Sequence, residues 1–277
     1  MTTGPAMDLP LDELDRTRAG RCPAAGAEVL SLDIRSKRYP ARDRDGAAGH
    51  AVFENFRLTL PAGGVHAIVG PSGCGKTTLL NIVAGLDRAY QGSVRLPGAA
   101  GREPVLGYVF QTPRLLPWRT VAENLSLVLH GVPDREERVA RWLREVGLDG
   151  QGGVYPSRLS GGMSRRVALA RAFAVEPDLL LMDEPFVSLD EPTARHLRQL
   201  LTRILQAHPT TVLFVTHDLR EAITLADRIL FLSRPPTRLL LDLPIPLTAA
   251  ERADEARVEA LWSALRRDHA ATLEGGT

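Results

Sequence analysis

The chain of 277 residues is 44% hydrophobic and 24% charged, with a formal net charge of +1. This composition is ordinary for a globular protein that buries a full core. A charge so close to zero gives no bulk attraction to acidic membranes or nucleic acid, so we expect no nucleic-acid partner. Two cysteines are too few for a disulfide framework and indicate a reducing compartment. No apolar run reaches the length of a membrane span and the N-terminus is acidic, so we expect a soluble protein without a signal peptide.

The N-terminal part predicts an extension followed by a small sheet. Residues 1–27 are rich in Pro, Gly, Ala and charge without sustained periodicity, so we expect a mostly disordered segment. Alternating apolar and polar residues predict strands at 29–34 and 52–60, with a turn at 43–46 between them. These two strands predict an antiparallel piece of sheet.

Residues 70–78, here called the phosphate loop, match the pattern G-x-x-x-x-G-K-[ST]. An apolar β-branched run precedes the loop and a helical run follows it, which is the context that this motif requires. Its glycines let backbone N–H groups point at phosphate oxygens, while Lys76 reaches the β- and γ-phosphates and Thr77 offers a hydroxyl to Mg²⁺. The predicted nucleotide-binding residues are Gly70, Pro71, Ser72, Gly73, Cys74, Gly75, Lys76, Thr77 and Thr78.

Cys74 lies inside this loop, at a predicted helix N-terminus beside Lys76. That setting predicts a somewhat acidified thiol, although a small residue that simply fits the loop is the favoured interpretation. Lys76 itself is one of only two lysines among 34 basic residues, which favours a specific role for a compact ammonium.

Strands and helices alternate after the phosphate loop. Strand patterns occur at residues 93–96, 105–110, 178–182, 211–215 and 229–232. Helical patterns occur at residues 121–129, 134–146, 160–174 and 192–208, after Asp218, and from Thr248 through Leu265. Asp134 with Glu137 predicts a capping pair at the second of these helices. The alternation predicts an α/β fold of the P-loop NTPase type, a mainly parallel sheet flanked by helices.

Two acids, Asp183 and Glu184, end the apolar strand at 178–182. The carboxyl end of a buried strand would bring Asp183 beside the phosphate loop, where it would hold Mg²⁺ directly or through water. Glu184 points differently and would polarise a water for in-line attack on a γ-phosphate.

Residues 160–162, here called the serine–glycine turn, predict a second anion site. Ser160 is a helix cap, and Gly161 and Gly162 expose N–H groups at the helix start. One nucleotide needs one cradle, so two cradles suggest two copies that complete each other's ATP site. With Leu159 and Met163, this turn resembles the signature of ATP-binding subunits of ATP-binding-cassette (ABC) transporters, and the resemblance covers nearly all of residues 28–233.

The resemblance implies roles for further residues. Tyr39 matches the aromatic residue that stacks on adenine, and Gln111 matches the glutamine that senses Mg²⁺ and the γ-phosphate. Asp190, in Ser188-Leu189-Asp190, matches the loop that contacts the opposite subunit, and His217 matches the histidine that touches the γ-phosphate. It also implies a nucleotide-binding domain at 28–233 with an inserted helical subdomain at about 112–160, which leaves a C-terminal segment, 234–277, with one helix.

Two segments point to one branch of the family. Met163 and the run Leu115-Leu116-Pro117-Trp118 resemble importers for nitrate, sulfonates and taurine. An apolar pair with Pro and Trp suits the docking of a short permease helix, and the alternative is a buried turn of the subdomain. Ser164-Arg165 and Val187-Ser188 depart from the branch, which usually has Arg-Gln and Gly-Ala there.

The resemblance implies an ATPase that dimerises head to tail around two ATP with Mg²⁺. Each dimer would drive a multi-span permease, served by a substrate-binding protein, from the cytoplasmic face of the membrane. The expected cargo is a small anion such as nitrate, a sulfonate or taurine, and small heterocyclic precursors also stay open. A non-transport ABC ATPase acting as an assembly partner, for example in iron–sulfur assembly, is the alternative. A module that no longer hydrolyses ATP is a third, against which Glu184 and His217 speak.

Overall fold

The computed structural model describes residues 28–40, 49–96 and 103–269. The predicted disordered extension at 1–27 and the predicted turn at 43–46 lie outside these residues. The strands are β1 (Glu28–Tyr39), β2 (His50–Pro61), β3 (Val65–Val69), β4 (Gln91–Arg95), β5 (Leu106–Val109), β6 (Leu179–Asp183), β7 (Thr211–Thr216), β8 (Arg228–Leu232) and β9 (Leu239–Pro244). The α-helices are α1 (Lys76–Val83), α2 (Val121–Ser126), α3 (Arg135–Glu145), α4 (Gly161–Ala174), α5 (Glu191–Ala207), α6 (Leu219–Leu225) and α7 (Glu255–Asp268).

The larger sheet has the strand order β5-β6-β7-β3-β8-β9. Its first five strands are parallel and β9 closes the edge antiparallel to β8. Every residue of β6 and β7 is buried, as expected of parallel strands covered on both faces. The predicted α/β fold with a mainly parallel sheet is therefore confirmed.

The smaller sheet is antiparallel, with the order β2-β1-β4. The predicted pairing of the first two strands is confirmed, with Leu32 opposite Leu58 and Ile34 opposite Phe56. The first strand continues five residues past its predicted end at Ile34 and finishes at Tyr39, because it pairs along its whole length with β2.

Two apolar cores cover the two faces of the larger sheet. In β3, Ala67 belongs to the core under α4, α5 and α6, whereas its neighbour Ile68 belongs to the core under α1 and the smaller sheet. This division follows from the period of two in a strand, which sends successive side chains to opposite faces. Both faces of the larger sheet are therefore covered, and the ends of its strands remain for the functional site.

The predicted capping pair at Asp134 is wrong. Asp134 precedes α3 but has φ of 54°, in the left-handed region, and its side chain makes no capping hydrogen bond. An N-cap side chain reaches the first turn from an extended backbone, which a left-handed residue does not offer. The α2 helix has the reciprocal pair instead, between Thr120 and Glu123.

The C-terminal segment differs from its prediction in two ways. Strand β9 was not predicted at all, and the helix expected from Thr248 begins only after Asp254. Thr248 and Glu251 do bond to each other, but only a single 3-10 turn follows, Glu251–Ala253, which has no side-chain capping hydrogen bond. Val258 and Leu265 of α7 are buried, so this segment packs on the core.

The α2 and α3 helices lie between β5 and α4, within the range predicted as a helical subdomain. The domain boundaries themselves remain a prediction. Among the described residues, no helix combines the length and apolar character needed to cross a bilayer.

Candidate nucleotide-binding site

The carboxyl ends of β3, β5, β6 and β7 meet at one edge of the parallel sheet. The register sets Val69 at the end of β3 beside Thr216 of β7, and Asp183 of β6 beside Val215. Ligands of parallel α/β sheets bind outside this edge. The predicted residues that follow these four strands are therefore gathered at a single place.

The phosphate loop joins β3 to α1 and depends on its glycines. Gly75 has φ of 94°, and a Cβ there would lie 2.5 Å from the Cγ1 atom of Val52. A Cβ on Gly70 would lie 2.9 Å from the Sγ atom of Cys74. A side chain at either position would displace its neighbours, so the tight path of the loop needs glycine.

Lys76 is buried, with 6% of its surface exposed, and its Nζ atom faces into the loop. It donates hydrogen bonds to the backbone carbonyls of Gly70, at 2.7 Å, and Pro71, at 3.0 Å. These carbonyls are neutral and leave the ammonium charge uncompensated. The loop therefore presents a positive charge together with the N–H groups at the start of α1, which suits an anion.

Thr77 and Asp183 place two oxygen atoms side by side. The Thr77 hydroxyl donates to the Oδ1 atom of Asp183 at 3.0 Å, and Asp183 is only 5% exposed. Burial raises the pKa of the Asp183 carboxyl, although the hydrogen bond from Thr77 opposes the shift. A buried carboxylate beside a hydroxyl fits the oxygen preference of Mg²⁺.

The described residues contain no group of three or more His, Cys, Asp or Glu that would hold a metal alone. A magnesium ion at Thr77 and Asp183 would therefore need oxygens from a bound phosphate, as Mg²⁺ usually does at nucleotide sites.

Glu184 and His217 lie against each other at the same edge. The Nδ1 atom of His217 is 3.4 Å from the Oε2 atom of Glu184. Glu184 has φ of 42°, a left-handed conformation, and its N–H donates to the carbonyl of Val215. His217 is exposed, while the Glu184 side chain is only 21% exposed. The pair thus presents a carboxylate and an imidazole to a ligand at the strand ends.

The turn that carries His217 is held by hydrogen bonds of the preceding residue, Thr216. The Thr216 hydroxyl donates to the carboxyl of Glu221 at 2.7 Å and accepts the N–H of Asp218 at 3.0 Å. Burial raises the pKa of Glu221, and the hydrogen bond from Thr216 opposes this shift. Asp218 caps α6 by accepting from the N–H of Arg220.

Tyr39 lies at the end of β1, exposed and next to the phosphate loop. Its hydroxyl is 3.3 Å from the Oγ1 atom of Thr78 and donates to Asp87 at 3.2 Å. The Nζ atom of Lys37 is 4.4 Å from the ring centroid and pairs with Asp87 at 2.7 Å. Lys37 and Asp87, which orient this ring, were missed; the rarity of lysine was the one signal that pointed to Lys37.

Gln111 is exposed two residues after the end of β5 and begins the tryptophan loop, residues 111–119. Asn124 fixes this loop by accepting from the N–H of Leu116 and donating to the carbonyls of Leu116 and Arg119. Trp118 is 69% exposed and does not lie in a buried turn, whereas Leu115 of the same run is partly buried against the core.

The serine–glycine turn forms the start of α4. The Ser160 hydroxyl accepts from the N–H of Met163 at 3.2 Å, so its predicted capping is confirmed. Asp190 caps α5 by accepting from the N–H of Thr193 at 2.9 Å. A Cβ on Gly162 would lie 2.8 Å from the Cγ2 atom of Thr193, whereas Gly161 faces open space. Ser160 and Gly161 are thus exposed at the start of α4, where the sequence predicts a second anion site.

The predicted acidification of Cys74 is wrong. Its side chain is fully buried, and burial raises the pKa of the thiol. The Nζ atom of Lys76, 4.0 Å from the sulfur, opposes the shift but does not overcome it. The favoured interpretation, a small residue that fits the loop, agrees with this burial.

Comparisons with known proteins match this arrangement. A family model described as ABC transporter matches residues 53–187. The aliphatic sulfonates import ATP-binding protein SsuB 2 of Burkholderia lata is 45% identical over 218 residues, which cover 78% of this chain and 78% of that protein. The protein of the same name from Pseudomonas syringae pv. tomato is 41% identical over 233 residues, covering 83% of this chain and 97% of that protein.

A solved structure is also similar. A dimeric ATP-binding cassette in a post-hydrolysis state, bound to ADP and Pi, aligns with a TM-score of 0.67 at 29% identity. The alignment covers 78% of this chain and 98% of that chain. The range matched by the family model contains the phosphate loop, the serine–glycine turn and both acids at the end of β6.

Proposed function

Because the chain belongs to the ABC transporter family and is an ATPase of that family, we propose that it is the motor subunit of an importer for a small anion, with an aliphatic sulfonate as the first candidate. Membership confirms the resemblance drawn from the sequence motifs. The two relatives named for sulfonate import support this cargo over nitrate and taurine.

We propose the following roles for the site residues in binding ATP, which their positions support. The ring of Tyr39 stacks on adenine, and the phosphate loop with Lys76 holds the β- and γ-phosphates. Thr77 and Asp183 would hold Mg²⁺, which neutralises charge between the phosphates when bound. Lys76 exchanges its two carbonyl partners for phosphate oxygens.

The roles in hydrolysis fall to the residues at the ends of β5, β6 and β7. Glu184 accepts a proton from the attacking water, and the partly buried setting of its carboxylate holds it at the strand edge. His217 contacts the γ-phosphate and lies close enough to orient Glu184. Gln111 would contact Mg²⁺ and the γ-phosphate, and it starts the loop that leads away from the site.

The serine–glycine turn completes the ATP site of a second copy. Ser160 and Gly162 hold the γ-phosphate of the partner's ATP, and Asp190 contacts the partner in a closed two-fold dimer. ATP binds across the interface, so it stabilises the closed dimer by mass action and hydrolysis releases it. The dimeric state of the similar cassette supports this arrangement.

The observation that carries the importer proposal is the exposure of Trp118 on the loop that begins at Gln111. Leu127 and Val128 are also exposed, at 45% and 39%, on the turn that follows α2. An exposed Trp is a common centre of a protein interface. A short permease helix that docks here would sense the site through the tryptophan loop, from the cytoplasmic face of the membrane.

The test is transport coupling in a reconstituted complex with the permease and its substrate-binding protein. Trp118→Ala should leave the ATPase rate of the isolated subunit unchanged and abolish its stimulation by loaded binding protein. Leu240→Ala is the matched control, because Leu240 is also exposed, at 38%, but lies on β9. Full stimulation in Trp118→Ala, or equal loss in both variants, would contradict the docking site.

A further inference from the structure

The side chain of Arg165, on α4, connects two loops of the site. Arg165 follows the serine–glycine turn by one helical turn and is only 7% exposed. Its Nη2 atom donates to the backbone carbonyl of Val187 at 2.9 Å. Val187 lies in the stretch 184–190, here called the acidic loop, which runs from Glu184 to Asp190.

The acidic loop is strained and needs support. Glu184 has φ of 42° and Ser188 has φ of 62°, both in the left-handed region that non-glycine residues rarely adopt. Such residues persist only where their surroundings hold them. Within the loop, the N–H of Val187 donates to the carbonyl of Glu184 at 3.2 Å, so the Arg165 bond lies between the two strained positions.

The environment of Arg165 makes this hydrogen bond valuable. Arg165 helps to line a small cavity whose other lining residues are apolar, among them Leu169, Met182 and Phe186. Burial lowers the pKa of Arg165, and its Nη1 atom is buried without a hydrogen-bond partner in the described part of the chain. A buried charge with so few partners favours strongly the loop position that keeps the Val187 carbonyl within reach.

A second contact joins the same two loops. Thr193, at the start of α5, donates through its N–H and its hydroxyl to Asp190, each at 2.9 Å. A Cβ on Gly162 would lie 2.8 Å from the Cγ2 atom of Thr193, so Thr193 packs closely against the serine–glycine turn. Arg165 thus binds the middle of the acidic loop to α4. At the end of the loop, Thr193 contacts both Asp190 and the serine–glycine turn.

We propose that Arg165 is a positioning residue that makes the serine–glycine turn and the acidic loop move as one unit. The turn contacts the ATP bound by the partner, whereas Glu184 acts on the ATP of its own copy. Occupancy of one ATP site in the dimer would therefore set the position of the base at the other. This inference rests on the roles proposed above for Glu184 and Ser160.

The test begins with steady-state ATPase kinetics of Arg165→Gln. In the described part of the chain the guanidinium of Arg165 hydrogen-bonds to Val187 and not to the phosphate loop, so KM for ATP should stay within about twofold of the wild type. The turnover number should fall about tenfold because Glu184 loses its position. Arg165→Lys keeps a charge but not the planar guanidinium, so its turnover number should lie between those of the wild type and Arg165→Gln.

The decisive measurement is the coupling between Arg165→Gln and Ser188→Gly. Glycine adopts the left-handed conformation at little cost, so the loop would need the arginine less. The loss of turnover caused by Arg165→Gln should shrink from about tenfold to about threefold or less in the Ser188→Gly background. Arg166→Gln is the matched control: its guanidinium donates to Val146 instead, and its effect should be the same in both backgrounds.

Three outcomes would overturn the inference. The first is an Arg165→Gln effect that is equal in both backgrounds. The second is a lowered melting temperature with unchanged turnover per folded molecule, in both Arg165→Gln and Arg165→Lys. The third is a loss expressed in KM alone. ATP-dependent dimerisation of Glu184→Gln separates this inference from the proposed function, because failure there removes the base and dimer model, whereas success there with additive kinetics removes only the role of Arg165.

Discussion

The Nδ1 atom of His217 lies 3.4 Å from the Oε2 atom of Glu184, at the ends of two neighbouring parallel strands. The two residues are 33 positions apart in the sequence, and the parallel register of β6 and β7 brings them together. A carboxylate and an imidazole at this distance can contact the same ligand, at the strand edge that also carries Thr77 and Asp183. The structure thus brings the predicted base and the predicted phosphate contact together at one edge of the sheet.

Asp183→Asn should separate stability from activity. Burial raises the pKa of Asp183, so in the nucleotide-free protein its charge opposes folding. A raised folded pKa means that stability is lost as the pH rises above the ordinary value of 3.8. Asparagine removes this cost, and we expect a gain of about 1 kcal/mol in urea unfolding at neutral pH with loss of Mg²⁺-dependent ATPase. A destabilised variant that keeps its Mg²⁺ response would contradict the assignment.

His66 should make the protein sensitive to mild acid. Burial lowers the pKa of this imidazole below its usual 6.5. Its Nε2 atom contacts the Gly63 carbonyl at 3.1 Å, and its Nδ1 atom is buried without a hydrogen-bond partner among the residues that the structure describes. The stabilising effect of the neutral ring is present above pH 6.5 and is lost as the pH falls from 6.5 toward the lowered folded pKa.

The measurement is urea unfolding of the wild type and His66→Gln at a series of pH values. Inside this window the wild type should lose up to about 1.4 kcal/mol per pH unit relative to the variant. Because Asp183 and Glu221 are present in both proteins, their opposite pH effects cancel in the difference. Parallel pH profiles would show that the pKa of His66 is the same in the folded and the unfolded protein, which would contradict the prediction.

Asp87→Ala should destabilise the fold and weaken ATP binding together. Lys37 is 2% exposed and its main partner is Asp87, at 2.7 Å. Burial raises the pKa of Asp87, but the hydrogen bond and charge of Lys37 outweigh it and hold that pKa below its usual value. The variant leaves a buried ammonium, at a cost of about 3 kcal/mol, and Tyr39 loses its acceptor, so KM for ATP should rise.

The control for this pair is Lys37→Met combined with Asp87→Leu. It removes both charges, so it should recover much of the lost stability, since an apolar pair of similar volume tolerates burial. Its KM for ATP should stay raised because the Tyr39 hydroxyl still lacks the Asp87 carboxylate. A double variant as unstable as Asp87→Ala would show that the loss does not come from an unpaired charge.

Cys74 should resist thiol reagents. It is fully buried and burial raises the pKa of the thiol, so both access and thiolate content are low. In a Cys22→Ser background, Cys74 is the only thiol of the chain. Labelling with an aromatic disulfide should be at least about a hundredfold slower in the folded than in the urea-unfolded protein, with little effect of ATP. Fast labelling that ATP blocks would restore the reactive-thiol hypothesis.

Features set by neighbouring residues could be predicted from the sequence. The phosphate loop, the acids that end β6 and the cap at Ser160 each depend on a strand, a turn or a helix start within a few positions. The parallel sheet then followed from the alternation of strands and helices, which also gathers the predicted residues at one edge.

Features that depend on distant partners were missed. Asp87 supports Lys37 from 50 residues away, and Arg165 finds the Val187 carbonyl 22 residues on. Cys74 was placed correctly beside a cation, but local sequence does not show burial; the hydroxyl of Thr237, 163 residues on, bonds to its carbonyl. The register of β9 on β8 has the same tertiary origin.

The central claim is that Glu184 activates water in an ATP site shared between two copies, and Glu184→Gln tests it most directly. Glutamine keeps the size of the side chain but cannot take the proton, so ATPase turnover should fall at least about a hundredfold. ATP binding should persist, and light scattering should show an ATP-dependent dimer that the wild type forms only transiently. Ser160→Arg in the same background should abolish that dimer without lowering ATP binding by the monomer. A Glu184→Gln protein that hydrolyses ATP at the normal rate, or that stays monomeric with saturating ATP, would contradict the account.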